Sequence, residues 1–153
     1  MRYAENTSVP VGKSQMELIS ILNRYRVQDH LIGQEDGTAF FAFRAANRQV
    51  KIFLPLPDRN AQEFQFTPER GYRRDETAVQ KAWEQACRQR WRALTLYVKA
   101  LLEAQQCGIV TFDEAFLAHI VLPDNRTAGQ FLIPQIAQSY ETHTMPMLML
   151  EGK

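Results

Sequence analysis

Apolar positions recur along this chain with two different periods, and the changes of period mark out its elements. Leu18, Ile19, Leu22 and Tyr25 stand at the three-and-four spacing of one helix face. Ser14 and Glu17 have the spacing of a capping box, which predicts a helix from Ser14 to about Arg26. Residues 1–13 before it read as an arm. Pro10 and Gly12 oppose helix there, and Val9 and Val11 suit an extended segment packed on the domain.

From Gln28 to Pro57 the period falls to two. Leu31 and Ile32 predict a short strand, and Asp36-Gly37 a hairpin turn. A second strand is expected over Thr38–Arg44, with Phe41 and Phe43 on one face and Phe40 and Ala42 on the other. Asn47-Arg48 marks the next turn. A third strand, Gln49–Leu54, alternates Val50, Ile52 and Leu54 with Lys51 and Phe53 before Pro55 and Pro57 stop it. Residues 58–76 form a charged stretch too long for an ordinary loop. Phe64 and Phe66 within it have the spacing of a fourth strand.

The longest helix follows. Thr77 and Gln80 predict its start and Gly108 its end, with Val79, Trp83, Ala86, Cys87, Trp91, Leu94, Val98, Leu101 and Leu102 recurring between them. Thr111 and Glu114 predict a helix through Ile120 that Pro123 ends. Thr127 and Gln130 predict another through Tyr140, with Pro134 kinking it or moving its start. The segment Met145–Leu150 is apolar, so the tail over residues 145–153 either packs on its own domain or docks on a partner. The expected fold is one α+β domain over residues 1–153: a helix, a three- to four-stranded antiparallel meander, a long helix packed on it, and two C-terminal helices.

Composition supports that reading. A chain of 153 residues, 45% hydrophobic and 23% charged, buries a core without disulfides or metal. Cys87 and Cys107 sit 20 residues apart in one predicted helix, about 30 Å along its axis, too far to bridge. A chain without a disulfide framework suits a reducing compartment. No apolar run is long enough to span a bilayer, and Met1–Ser8 has no signal core. The expectation is a cytoplasmic protein with no membrane partner.

Charge is unevenly placed. Residues 1–99 carry 16 basic and 11 acidic groups, a net of +5, and residues 100–153 carry 2 and 6, a net of −4. Either one face attracts anions or the solvated surface is simply uneven in sign. No phosphate loop, nucleophile elbow or zinc-spaced pair is present, so no catalytic residue, metal or cofactor is assigned. His119, five residues after Glu114, fits a base oriented by a carboxylate, or an ordinary surface histidine. Cys87 and Cys107 lack a neighbour that would activate a thiol.

The functional candidate is a set of basic and aromatic residues. Arg70, Tyr72, Arg73 and Arg74 lie in the long loop, and Lys81, Arg88 and Arg92 on one side of the long helix. Arg44, Arg48 and Lys51 on the second hairpin are positioned to extend the surface. Guanidinium groups pair with phosphate and rings stack on unpaired bases, so the set predicts contact with DNA or RNA. Glu69, Asp75, Glu76 and Glu84 interleave and oppose that reading. Trp83 and Trp91, eight apart, read as core against the sheet.

Three stretches carry a resemblance: Tyr3–Val11 (YAENTSVPV), Ala82–Arg92 (AWEQACRQRWR) and Phe116–Pro123 (FLAHIVLP). They resemble a family of small uncharacterised proteins of bacteriophages, prophages and mobile elements. The resemblance covers most of the chain. It implies a bacterial cytoplasm and a role in replication, recombination or host takeover, with no activity or site residues to transfer. The expected function is a non-enzymatic accessory protein that contacts nucleic acid. The alternative is a protein-binding module that inhibits or redirects a host protein, with self-association through the apolar tail as a variant.

Overall fold

Two tight turns fold the middle of the chain into a sheet. The computed structural model describes residues 4–27 and 29–145. Within them β1 (His30–Glu35), β2 (Thr38–Ala45) and β3 (Arg48–Leu54) form an antiparallel meander in the order β1-β2-β3. Asp36 and Gly37 take φ of 49° and 77°, and Ala46 and Asn47 take 50° and 59°. Paired positive φ values have the twist that joins antiparallel strands through two residues. The register sets Phe41 beside Ile32 and Ile52, and Phe43 beside His30 and Val50.

Alternation then gives the sheet two unlike faces. Ala39, Phe41, Phe43, Val50, Ile52 and Leu54 are buried on one. The other carries Leu31, Phe40, Arg44, Lys51 and Phe53. Lys51 ion-pairs with Glu35 and lies 4.4 Å above the Phe40 ring. Gly33 gives that ring room, since a Cβ there would stand 2.8 Å from Phe40 Cζ.

The buried face is covered by α1 (Val11–Arg24), α3 (Glu76–Gln106) and α4 (Phe112–Phe116). Leu18, Ile21 and Leu22 of α1, Trp91, Leu94, Val98 and Leu102 of α3, and Phe116 of α4 join the sheet in one core. Where α1 crosses α3, the small residues Ser14 and Thr95 are fully buried. Thr95 Oγ1 lies 3.1 Å from the Ser14 carbonyl and 3.0 Å from that of Trp91.

That contact corrects the expected helix start. Ser14 does not cap α1: the helix begins at Val11, with Pro10 at the cap position and no side-chain cap bond. Burial against α3 claims Ser14, and the arm is shorter than expected. α3 also starts earlier, capped by Asp75, whose carboxylate accepts from the Ala78 amide. No fourth strand forms at Phe64 and Phe66. Residues Gln62–Gln65 make one helical turn, α2, that buries Phe64, and Phe66 forms an isolated bridge with Arg73. After α4 the chain tightens into a 3₁₀ turn, Leu117–His119.

α5 (Ala128–Thr142) starts at Thr127 and Gln130 with the reciprocal capping box, and Pro134 sits inside the helix without moving its start. Its first turn is tied to the sheet. Val121 N–H donates to the Gln49 carbonyl and Ala128 N–H to that of Ile120. Gly129 is buried where a Cβ would stand 2.8 Å from the Ala118 carbonyl oxygen. Gly129→Ala is expected to push α5 off the 3₁₀ turn at a cost of about 1–3 kcal/mol, measurable by urea denaturation. Residues 146–153 of the predicted tail lie outside the described residues.

Candidate functional site

The ten basic and aromatic candidates divide among several places. Arg70, Tyr72 and Arg73 project from the turn between Phe66 and Arg73. Thr67 N–H donates to the Tyr72 carbonyl (2.8 Å), and Gly71, at φ 65°, donates its N–H to the Thr67 carbonyl (3.0 Å). These three side chains and Lys81 are exposed. Arg74 is instead half-buried, donating to the carbonyls of Glu63 and Phe64. Arg48 pairs with Asp113 at 3.1 Å, Arg92 with Glu17, and Lys51 with Glu35. Arg44 is exposed on the open sheet face. Asp113 lies past the C-terminal end of α3 and Arg73 just before its N-terminal end. A 31-residue helix is about 45 Å long, so the set does not make one patch. Within residues 62–81, Glu63, Glu69, Asp75 and Glu76 match four cations in number.

His119 is not held by Glu114. Its Nε2 is 2.8 Å from the Tyr97 hydroxyl, and the two rings meet edge to face at 5.7 Å. Burial pulls the imidazole below its ordinary 6.5, so the folded state favours the neutral ring. The unfolded chain then binds more protons once pH falls toward 6.5 and below, and stability is lost in that direction. Urea midpoints at pH 7.5 and 5.5 are expected to differ, and His119→Gln to narrow the gap. Among the described residues no three His, Cys, Asp or Glu side chains gather to hold a metal. Burial raises the Cys87 thiol, which leaves it a poor nucleophile, and Cys107 is exposed.

Two features went unmarked in the sequence. The first is the outer stripe of α5. Ile133, Ile136 and Tyr140 follow at three and four, and they are 62%, 48% and 81% exposed. Met145 beyond the helix is 86% exposed, and Leu117 at the helix's base is 53% exposed. Only Ala128 and Gly129 of α5 are buried. Gln130 and Ser139 flank the stripe, Gln138 and Thr142 lie on the opposite side of the helix, and Glu141 is its single charged residue. The helical period was visible in advance, but it could not say that the apolar face would lack a cover.

The second is a cleft of about 760 Å³ between the N-terminal arm and α3. Its floor is Trp83, Trp91, Leu56 and Val11, and Arg88 stands at its side. The polar residues Asn6, Thr7 and Ser8 that form its other wall carry no periodic signal.

Comparisons with protein-family models, curated proteins and solved structures give no match to this chain.

Proposed function

We propose that this protein is a non-enzymatic protein-binding module that docks α5 into an apolar groove of a partner protein. The observation that carries the reading is the exposed stripe Ile133–Ile136–Tyr140 on a helix whose buried residues, Ala128 and Gly129, both lie in its first turn. An amphipathic helix read through residues at three- and four-residue spacing is a recurrent docking mode. A grooved partner fits better than a second copy. Two helices about 22 Å long, packed side by side, bury well under the ~800 Å² per partner that a stable complex needs. A groove also covers the flanks, where the neutral Gln130 and Ser139 side chains cost less to desolvate than charges do. Under the resemblance to phage and mobile-element proteins, the partner is a protein of the bacterial host. The test compares wild type with a variant altered along the stripe for one stoichiometric partner. A partner held equally by both sinks the reading.

A second reading keeps nucleic acid. It is favoured by the exposed Arg70, Tyr72 and Arg73 on a hydrogen-bonded turn, the combination of ring and cation that suits an unpaired base and its phosphate. It predicts binding to single-stranded DNA or RNA that weakens with salt, and a loss of about tenfold or more in Arg70→Ala/Arg73→Ala. Fluorescence anisotropy at two salt concentrations checks this. Absence of binding at low salt removes it.

A further inference from the structure

The cleft under the N-terminal arm has the parts of a small-molecule site, and its construction is independent of α5. Its floor is aromatic and fixed. Trp83 Nε1–H donates to the Pro57 carbonyl at 2.7 Å, which satisfies the indole's polar edge and leaves its ring to the cleft. Trp91, one helical face along at i+8, is 4% exposed and holds the inner end. Leu56 and Val11 complete an apolar surface. A volume near 760 Å³ falls in the range of pockets that take drug-sized ligands.

One side chain organises the polar wall. Gln85 Nε2 donates to the carbonyls of Glu5 (3.2 Å) and Thr7 (2.8 Å), strapping the arm to α3. Its Oε1 accepts from Arg88 Nε (3.2 Å) and Nη2 (2.6 Å), so the same amide orients the guanidinium. Arg88 is half-buried and, among the described residues, ion-pairs with no carboxylate. Glu84 shares the rim, but its Oε1 accepts from Gln80. A fixed cation beside an apolar floor, with donors to spare, attracts an anion that it pairs through two N–H groups. The first turn of α1 enters the same cleft at Val11. No side chain caps that turn, so the positive end of the helix adds to the field.

We infer that this cleft binds a small planar aromatic molecule bearing one anionic group, its ring on Trp83 and its anion on Arg88, with Trp91 closing the inner end. The arm is the strap that closes the site, with Gln85 as its latch. This goes beyond the proposed docking function and does not rest on it.

The chain's two tryptophans are the two that line the cleft, so intrinsic fluorescence reports on it directly. The experiment titrates the full chain with 1-anilinonaphthalene-8-sulfonate, and with the uncharged N-phenyl-1-naphthylamine for comparison. Saturable one-to-one quenching by the sulfonate is expected. Arg88→Met should weaken sulfonate binding about tenfold or more and leave the neutral probe unchanged. Gln85→Ala, which releases both arm and guanidinium, should weaken the sulfonate as well. Ile133→Gln/Ile136→Gln/Tyr140→Gln should leave quenching intact, which separates this site from the exposed stripe. Sulfonate binding unaffected by Arg88→Met, or lost with the α5 substitutions, overturns the inference.

Discussion

Phe116→Ala should cost about 3–5 kcal/mol and lower the melting temperature by roughly 10–15 °C. Phe116 is fully buried where α4 meets the sheet. Its ring meets Phe43 edge to face at 5.4 Å and lies 4.8 Å from Phe112. Truncation removes the transfer free energy of a large side chain and leaves a cavity between elements held from several sides. It also removes two aromatic contacts, each worth ~0.5–1.5 kcal/mol. A domain of this kind has only ~5–15 kcal/mol of total stability, so this one side chain accounts for a large fraction. Tyr72→Ala is the matched control. That ring is 65% exposed, and its removal should change stability by no more than ~0.5 kcal/mol. Thermal melts followed by circular dichroism distinguish the two.

Ile133→Gln/Ile136→Gln/Tyr140→Gln should weaken partner binding by about 100-fold or more while leaving the melting temperature unchanged or slightly raised. Burying one such side chain contributes ~1.5–3 kcal/mol, and three lie on the same stripe. Glutamine keeps helix propensity close to that of the best formers, so α5 itself should persist. The substituted side chains are between 48% and 81% exposed in the free protein, which is why their loss costs the fold little. Isothermal titration with the isolated partner, beside a melt of the free chain, reads both halves. Equal losses of stability and binding would mean that the stripe packs on its own domain.

The contrast between core and surface explains what the sequence could foretell. The sheet was legible because Asp36-Gly37 fixes a turn and because alternation from Thr38 to Leu54 assigns each side chain a face. α3 was legible because its apolar positions keep helical spacing across the whole element. The Thr127–Gln130 capping box was read correctly because both members are local. Ser14 was misread because a cap and a small buried contact residue look alike until α3 is seen to cross there. Phe64 and Phe66 have strand spacing, yet a single helical turn buries the first, and the second makes only an isolated bridge with Arg73.

The binding surfaces were less legible, for a different physical reason. Whether a cation is available depends on partners far away in sequence. Asp113 is 65 residues from Arg48, and Glu17 is 75 from Arg92. No local pattern announces such pairs, so the ten-residue set looked more continuous than it is. The cleft depends on an arm and a helix joined by Gln85 across about 80 residues. Exposure of the α5 stripe is likewise a property of the whole fold.

A photo-cross-linking residue at position 136, compared with one at 138 on the opposite, polar side of the helix, tests the central claim most directly in the cell that encodes the protein. The account predicts an adduct with one partner protein from position 136 and much less from 138. An adduct between two copies of this chain, or equal labelling from both positions, would contradict it.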